Sequence, residues 1–270
     1  MGPLLLLRKP FTTKRTLVWG HIHPQAGPGS RTARLRLAMR RLADGTISYT
    51  YRDRAKALGD LPNAPVWVAP NSLYLRHRMV PAEARASQRN SVLYVGRFEQ
   101  AKKVDLLVRG FALAARLLPD IRLTLVGGGS EQGRIEALIA ELDLSSRVDF
   151  PGWLDEPEQL MPHYSAAFTT TSPGFAGLGL TQSLGFGVPM IVARDERHSP
   201  EIELAESGGV SWFDSDSPES LAEAIAEAWR KRSELPNLAI SEFTKNRYSA
   251  EAMSDGLRAA LEGTPQSLPN

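Results

Sequence analysis

Short apolar runs alternate with amphipathic stretches along the second part of the chain. Runs rich in β-branched and aromatic residues predict strands at 91–96, 121–126, 148–150, 167–171 and 190–193. Apolar positions spaced three and four apart predict helices at 104–117, 131–142, 156–163, 180–186 and 219–232. This alternation predicts a parallel sheet whose ligands lie beyond the carboxyl ends of its strands.

The first part of the chain repeats the alternation over a shorter length. Strands are predicted at 15–20, 45–50 and 66–69, with helices at 30–43 and 52–58. This segment is too short for a complete doubly wound domain. A leucine run begins at Leu4 with no capping residue before it, so we expect a helix whose beginning is absent and an N-terminally shortened chain.

These patterns divide the chain into four regions. Residues 80–90 are rich in Ala, Arg and Ser and have no apolar period, which predicts a linker. We expect a partial N-terminal α/β domain at 1–79, the linker at 80–90, a complete C-terminal domain at 91–240, and a C-terminal helix and tail at 241–270. The tail beyond Thr264 is expected to be frayed.

Composition narrows the classes of function. Of the 270 residues, 42% are hydrophobic and 23% are charged, which is the balance of a soluble globular protein. The absence of cysteine excludes disulfides and thiolate metal sites and is compatible with a cytoplasmic location. A net charge of +2 does not indicate a nucleic-acid-binding protein. No apolar run has the length of a signal peptide or a membrane span.

Positive charge is concentrated in the helix predicted at 30–43. It carries Arg31, Arg34, Arg36, Arg40 and Arg41. A solvated basic face is the simpler interpretation. The alternative is a peripheral contact with anionic lipid, or with a lipid-diphosphate acceptor, at the inner face of a membrane.

Two cations follow the first strand of the C-terminal domain. Gly96 permits a tight exit from this strand, and Arg97 and Lys102 then precede a helix. Arginine can bind two phosphate oxygens at once while lysine neutralises a point charge, so the pair suits a diphosphate. A solvated loop with two unrelated cations is the alternative, and the position after a sheet strand favours binding.

Two glycine-rich segments follow later strands. At Gly127, Gly128 and Gly129 a strand meets a helix, where backbone N–H groups can approach an anion. This segment is not a dinucleotide fingerprint, because Gln132 stands where the third small residue belongs, and a nicotinamide oxidoreductase is therefore disfavoured.

The second segment has glycines at 174, 177 and 179, followed by Thr181, Gln182 and Ser183 at a helix start. Close packing of loops explains the glycines but not three consecutive polar side chains, which favour a binding role.

Several motifs together resemble the large retaining glycosyltransferase family 4, of the glycosyl transferases group 1. They are Gly96-Arg97 with Lys102, Val126-Gly127-x-Gly129, Val148-Asp-Phe-x-Gly152, Gly-Leu-Gly-Leu with Gly187-x-Pro189, and Pro200-Glu201. The resemblance covers 91–235 strongly and 15–75 more weakly. It implies the α/β GT-B fold of two Rossmann-like domains, the N-terminal one only partly present here. The Gln-Ser-Leu at 182–184 is similar to a branch that works on surface polysaccharides.

The resemblance places Arg97 and Lys102 on the family's diphosphate-binding pair, and 127–129 near the nucleotide. It implies metal independence, because protein cations rather than Mg²⁺ neutralise the leaving diphosphate. The family's two glutamates fall on Gly174 and Gln182. Gln182 can still hydrogen-bond a ribose hydroxyl, whereas Gly174 has no side chain for the donor sugar. We expect the backbone N–H groups of Phe175, Ala176, Gly177 and Leu178 to contribute instead.

Three further residues are candidates. Glu201 either approaches the sugar or stabilises a helix dipole. His21 and His23 end a strand where the family commonly has a histidine that faces the cleft, and we place His21 among the catalytic candidates. A histidine bonded to a loop carbonyl is an equal alternative. No residues have metal-ligand spacing, and we expect no metal and no cofactor apart from the nucleotide-diphosphate sugar, which is a substrate.

The sequence therefore predicts a retaining, hexosyltransferase-type glycosyltransferase in cell-surface polysaccharide synthesis. Its partners would be a nucleotide sugar and a glycan or lipid-linked acceptor, with no nucleic acid. Its location would be cytoplasmic or peripheral to the inner face of the membrane. The alternative is a non-catalytic or incomplete nucleotide-sugar-binding subunit that needs a partner chain.

Overall fold

A computed structural model describes residues 15–22 and 30–269 of the chain. These residues form two compact units. The larger unit runs from Leu73 to Lys245, and the smaller unit combines the residues up to Ser72 with those from Asn246 onward.

The larger unit is built on a six-stranded sheet in which every neighbouring pair is parallel. Its strands are β4 (Ser91–Arg97), β5 (Arg122–Gly128), β6 (Val148–Gly152), β7 (Ala167–Ser172), β8 (Met190–Ala193) and β9 (Val210–Phe213). Their order across the sheet is β6-β5-β4-β7-β8-β9. This is the doubly wound order, and it confirms the predicted parallel sheet.

Helices cover this sheet on both faces. They are α3 (Val104–Leu117), α4 (Gln132–Glu141), α5 (Pro157–Ala166), α6 (Gly179–Gly185) and α7 (Pro218–Arg230). The next helix, α8 (Leu238–Tyr248), begins in the larger unit, and its residues from Asn246 onward belong to the smaller one. Along β4, Val92 and Tyr94 enter one hydrophobic core, while Leu93 enters the other, because successive strand side chains point to opposite faces. A strand buried on both faces reads as a continuous apolar run, which is why the sequence located β4 and β5 well.

The segment 73–90 belongs to the larger unit. Met79, Ala82 and Arg89 are buried. The Arg89 guanidinium donates to the carbonyl oxygens of Tyr164 at 3.2 Å, Ala167 at 2.7 Å and Ala82. The division between the units lies at Ser72, ahead of the linker predicted at 80–90, because this segment is packed rather than exposed.

The described part of the smaller unit contains a three-stranded parallel sheet, in the order β1-β2-β3. Its elements are β1 (Leu17–Trp19), α1 (Arg31–Leu42), β2 (Gly45–Ser48), α2 (Tyr51–Asp60), β3 (Val66–Val68) and α9 (Ala250–Glu262). Ile47, Trp67 and Ala260 lie in its core.

The C-terminal part differs from the single helix and frayed tail that were predicted. There are two helices, α8 and α9, because Ser249 caps a new one by accepting from the N–H of Ala252. The tail is bound to β3, since Trp67 Nε1 donates to Thr264 at 2.8 Å and Gln266 exchanges two hydrogen bonds with Val68.

Candidate functional site

The strand order reverses direction between β4 and β7. The chain continues from β4 to β5 and β6 on one side, and from β7 to β8 and β9 on the other. In open parallel sheets, ligands bind in the crevice at such a reversal, beyond the carboxyl ends of the two strands. Gly96 and Arg97 end β4, and the loop with Gly174 follows β7. The predicted cations and the predicted glycine loop therefore meet at the expected place.

These two segments are in direct contact. The N–H of Phe175 donates to the carbonyl of Ala101 at 3.1 Å, and Lys102 Nζ donates to the carbonyl of Phe175 at 2.8 Å. The ammonium also lies 4.7 Å from the centre of the Phe175 ring. A Cβ built on Gly174 would overlap the Ala101 carbonyl oxygen, so this approach requires glycine. Lys102 and the loop form one surface.

Arg97 and Lys102 differ in environment. Lys102 is half-buried, and its pKa is lowered first by burial and then by the charge of Arg97. Arg97 is exposed, and its Nη1 lies 3.0 Å from Glu99 Oε1. The two cations repel each other, and a bound anion would relieve this repulsion. An anion with two charged groups, such as a diphosphate, can neutralise both cations at once, so the pair favours its binding.

The glycine turn after β5 packs against the exit of β4. Gly127 and Gly129 have φ of +129° and +156°, and a Cβ on either would overlap the backbone of Gly96 or Phe98. Phe98 donates to Gly128 at 2.8 Å, which joins the two exits. Close packing alone thus requires two of these glycines. Their contact with a nucleotide stays a prediction.

His198 fixes the loop after β7 from its other side. Its Nδ1 accepts the N–H of Ala176 at 3.1 Å, and its Nε2 donates to the carbonyl of Ala193 at 2.7 Å, which requires the neutral ring. Burial lowers the pKa of His198 and favours that form. The N–H of Ser199 also donates to the Ala176 carbonyl at 2.9 Å.

These contacts correct one expectation. The N–H groups of Phe175 and Ala176 are bonded inside the protein, so they do not face a donor sugar as predicted. The N–H groups of Gly177 and Leu178 take no part in these contacts, and their role stays a prediction.

The three polar residues of α6 are all buried and have different roles. Ser183 bonds to Thr170 and Val188, both at 2.6 Å, and is structural. The hydroxyl of Thr181 has no hydrogen-bond partner within the described residues. Gln182 bonds to two tyrosines and lines a cavity.

This cavity has a volume of about 370 Å³ and opens at the carboxyl ends of β4 and β5. Its walls include Gly96, Gly127 and Gln182, which the sequence had singled out, and Tyr74, Arg78 and Trp153, which it had not. Trp153 directly follows Gly152 of the predicted motif, so its position next to that motif could have marked it as a candidate. Tyr74 and Arg78 lie in the packed segment ahead of β4, where no local pattern indicated a site.

The remaining candidates are less informative. Glu201 is buried in a 3₁₀ segment, Pro200–Ser207, and its approach to a sugar stays a prediction. His21 is exposed in the smaller unit, its ring centre 5.1 Å from that of Tyr49, and its catalytic role is untested. His23 lies outside the described residues.

The described residues contain neither a candidate metal-ion cluster nor a candidate membrane-spanning helix. Residues 15–22 and 30–269 contain no cluster of three or more His, Asp or Glu that could hold a metal ion. No helix in these ranges has the length and apolar character needed to cross a bilayer.

Comparison with known proteins gives a consistent result. A family model, Glycosyl transferases group 1, matches residues 76–247. The lipopolysaccharide core biosynthesis glycosyltransferase LpsE of Rhizobium meliloti is 26% identical over 64% of this chain and 50% of its own length. The D-inositol 3-phosphate glycosyltransferase of Acidothermus cellulolyticus is 33% identical over 43% of this chain and 29% of its own length. The chain thus spans half or less of the length of these curated relatives.

Solved structures share the fold. Anabaena Alr3699/HepE in complex with UDP superposes with a TM-score of 0.67 at 17% identity, covering 91% of this chain and 72% of that one. Sucrose-phosphate synthase from Thermosynechococcus elongatus gives 0.67 at 22% identity, with 97% and 71% covered. These likenesses confirm the predicted α/β fold of the GT-B type. Since the family model matches well over half of the chain, the protein belongs to the glycosyl transferases group 1.

Proposed function

We propose that the protein transfers a sugar from a nucleotide-diphosphate donor to a glycan or lipid-linked acceptor, with retention, as a member of glycosyltransferase family 4. The observation that carries this proposal is the meeting of Arg97, Lys102 and the 174–178 loop at the reversal of strand order. Two cations beside a glycine loop suit a diphosphate whose attached sugar lies over the loop.

The chemistry asks the protein mainly to position groups and neutralise charge. The acceptor hydroxyl attacks the anomeric carbon on the face from which the diphosphate departs, and the departing phosphate takes the hydroxyl proton. The negative charge that develops on the diphosphate is stabilised by Arg97 and Lys102. This mechanism needs no metal ion in principle, and we propose a metal-independent reaction.

The named relatives support the choice of donor and acceptor. LpsE acts in lipopolysaccharide core biosynthesis, and HepE was solved with UDP. By analogy we propose a role in cell-surface polysaccharide synthesis, with the reaction on the cytoplasmic side. The analogy extends to sugar and acceptor only as classes.

The test replaces each cation of the site. Arg97→Ala and Lys102→Ala should each weaken binding of the most effective nucleoside diphosphate about 10- to 100-fold, since a charge-assisted hydrogen bond contributes about 1.5–3 kcal/mol. Isothermal titration after a thermal-shift screen of UDP, GDP, ADP and dTDP measures this. Arg116→Ala, which removes an exposed cation of α3, is the control. Wild-type affinity in both site variants would refute the proposed site.

A second candidate is a subunit that binds a nucleotide sugar but needs a partner chain for transfer. It is favoured by the loop itself, where Gly174 has no side chain and the N–H groups of Phe175 and Ala176 are already bonded. Tight binding of a nucleotide sugar without turnover on any glycan or lipid-linked acceptor would establish this candidate. Turnover by the purified chain would exclude it.

The exposed face of α1 suggests where an anionic membrane could bind. Arg31, Arg34 and Arg41 are exposed around Leu35, whose residue is 58% exposed, whereas Arg36 and Arg40 bond within the unit. We propose that this face contacts anionic lipid.

Arg31→Glu with Arg34→Glu should reduce cosedimentation with phosphatidylglycerol vesicles about tenfold or more, since each basic residue contributes about 1 kcal/mol. Arg116→Glu is the matched control. Equal binding by all three proteins would favour a merely solvated face.

A further inference from the structure

We infer that Tyr164 is a positioning residue that fixes the orientation of the Gln182 amide, so that its NH₂ group rather than its oxygen faces Tyr74 and the nucleotide cavity. This inference rests on the proposed function, since the cavity is taken to hold the nucleoside part of the donor. It concerns how Gln182, Tyr74 and Tyr164 would bind the nucleoside through hydrogen bonds.

Tyr164 is held rigidly. Its side chain is buried, and its ring stacks on Phe186 with centres 4.3 Å apart and planes at 18°. Its backbone carbonyl accepts from Arg89 at 3.2 Å. The ring therefore has little freedom, and its hydroxyl lies at a fixed place beside α6.

The Tyr164 hydroxyl determines which way the Gln182 amide points. Within the described residues its hydrogen bond is to Gln182 Oε1, at 2.9 Å. Because a buried hydroxyl proton without an acceptor is costly, the oxygen rather than the nitrogen of the amide must face Tyr164. With the amide reversed, Nε2 would donate to the Tyr164 hydroxyl oxygen, and the phenolic proton would lose its acceptor.

The other end of the amide faces Tyr74. Gln182 Nε2 donates to the Tyr74 hydroxyl oxygen at 2.5 Å. Burial raises the pKa of Tyr74, so this phenol keeps its own proton. Both Gln182 and Tyr74 line the cavity.

The side of the amide that faces Tyr74 therefore supplies donors to a ligand. Oε1 is turned toward Tyr164, while Nε2 retains a second N–H and Tyr74 retains its O–H. A ribose hydroxyl bound here would accept hydrogen bonds. A glutamate at the same position would instead accept a hydrogen bond from the ribose hydroxyl. Donor and acceptor are therefore exchanged between the glutamine of this chain and a glutamate.

The first experiment separates positioning from general structure. Binding of UDP, GDP, ADP, dTDP and inorganic pyrophosphate is measured by titration calorimetry, and the tightest nucleotide is used further. Tyr164→Phe should weaken that nucleotide at least fivefold while changing pyrophosphate affinity less than twofold, because pyrophosphate reaches only the cation pair. Tyr51→Phe, which removes a tyrosine hydrogen bond to Arg247 in the smaller unit, is the control and should change neither.

A double-mutant cycle tests whether Tyr164 acts through Gln182. Gln182→Leu should weaken the nucleotide, and adding Tyr164→Phe to it should have less than twofold further effect. If the losses of nucleotide affinity in the two single variants multiplied in the double variant, Tyr164 would act independently of Gln182, and this result would overturn the inference. So would equal weakening of nucleotide and pyrophosphate by Tyr164→Phe, or no weakening of either.

The polarity has its own readout in nucleotides that carry fluorine in place of the 2′- or 3′-hydroxyl, since fluorine cannot donate. For each protein we compare the affinity for the fluorinated nucleotide with that for the parent nucleotide. For at least one analogue, the loss of affinity should be at least fivefold smaller in the wild-type chain than in Gln182→Glu. Equal losses in the two proteins would overturn the donor assignment. Failure of the wild-type chain to bind any nucleotide or pyrophosphate would refute the proposed function itself, a result distinct from these.

Discussion

Lys102 serves two purposes at the residue scale. Its ammonium donates to the Phe175 carbonyl at 2.8 Å. It is also near enough to Arg97 for the guanidinium charge to lower its pKa. A bound diphosphate would relieve the repulsion between the two cations. Ligand binding and the placement of the loop after β7 should therefore be linked through this one side chain.

This linkage gives a pH dependence. The pKa of Lys102 is below its usual 10.5, and only the protonated form attracts a diphosphate. Nucleoside diphosphate affinity should therefore be full at neutral pH and decrease as pH rises through the lowered pKa, before ordinary lysines titrate. Titrations between about pH 7 and pH 10 measure this.

Lys102→Arg is the informative comparison, because arginine stays charged over this range. Its affinity should vary much less with pH. The same alkaline decrease in both proteins would assign the titration to another group.

Single residues were predicted unevenly. Arg97 and Lys102 could be found because a cation after a strand is a local signal. The bond from Gln182 to Tyr74 joins residues 108 apart, and that from Tyr164 to Gln182 joins residues 18 apart. No periodic pattern connects such positions, so the polar network around the cavity had to come from the structure.

At the scale of elements, the loop after β7 depends on close approach to the segment after β4. Gly174→Ala should destabilise the protein by about 1–3 kcal/mol, because its Cβ would overlap the Ala101 carbonyl and the two loops must separate. Urea denaturation measures the loss, and nucleotide titration should show weaker binding.

Gly133→Ala is the matched control. Gly133 is exposed within α4 and a Cβ there meets nothing within 4 Å, so alanine should stabilise by up to about 1 kcal/mol through helix propensity. If the two substitutions had the same effect, the close approach at Gly174 would not matter for stability.

Elements with strong periodicity were predicted well, and the connecting segment was not. Residues 80–90 have the composition of a linker, yet Ala82 and Arg89 are buried against α5. Within the described residues Arg89 has no carboxylate partner, and it instead donates to carbonyls at the C-terminal end of α5, where a cation is favourable. Composition cannot reveal such a buried cation, because arginine is ordinarily a surface residue.

At the scale of the whole molecule, the described residues form two units with separate hydrophobic cores. We expect two calorimetric unfolding transitions, since a two-state description holds for single cores. A nucleotide at a hundred times its dissociation constant should stabilise the larger unit by about 2.7 kcal/mol and raise only its transition by several degrees.

Pyrophosphate should act on the same transition, since the cation pair belongs to the larger unit. A single transition that the ligand shifts as a whole would show that the two units unfold together. The same shift in Lys102→Ala as in the wild-type chain would place the nucleotide elsewhere.

The overlap at Gly174 also limits which substitutions the site can accept. Restoring a carboxylate at position 174 is not a one-step change, because any side chain there displaces the peptide of Ala101 and, with it, Lys102. A Cβ at Gly177 would make only ordinary contacts. A library that seeks a new donor sugar should therefore sample Gly177 and its neighbour Leu178, and leave glycine at 174 and glutamine at 182.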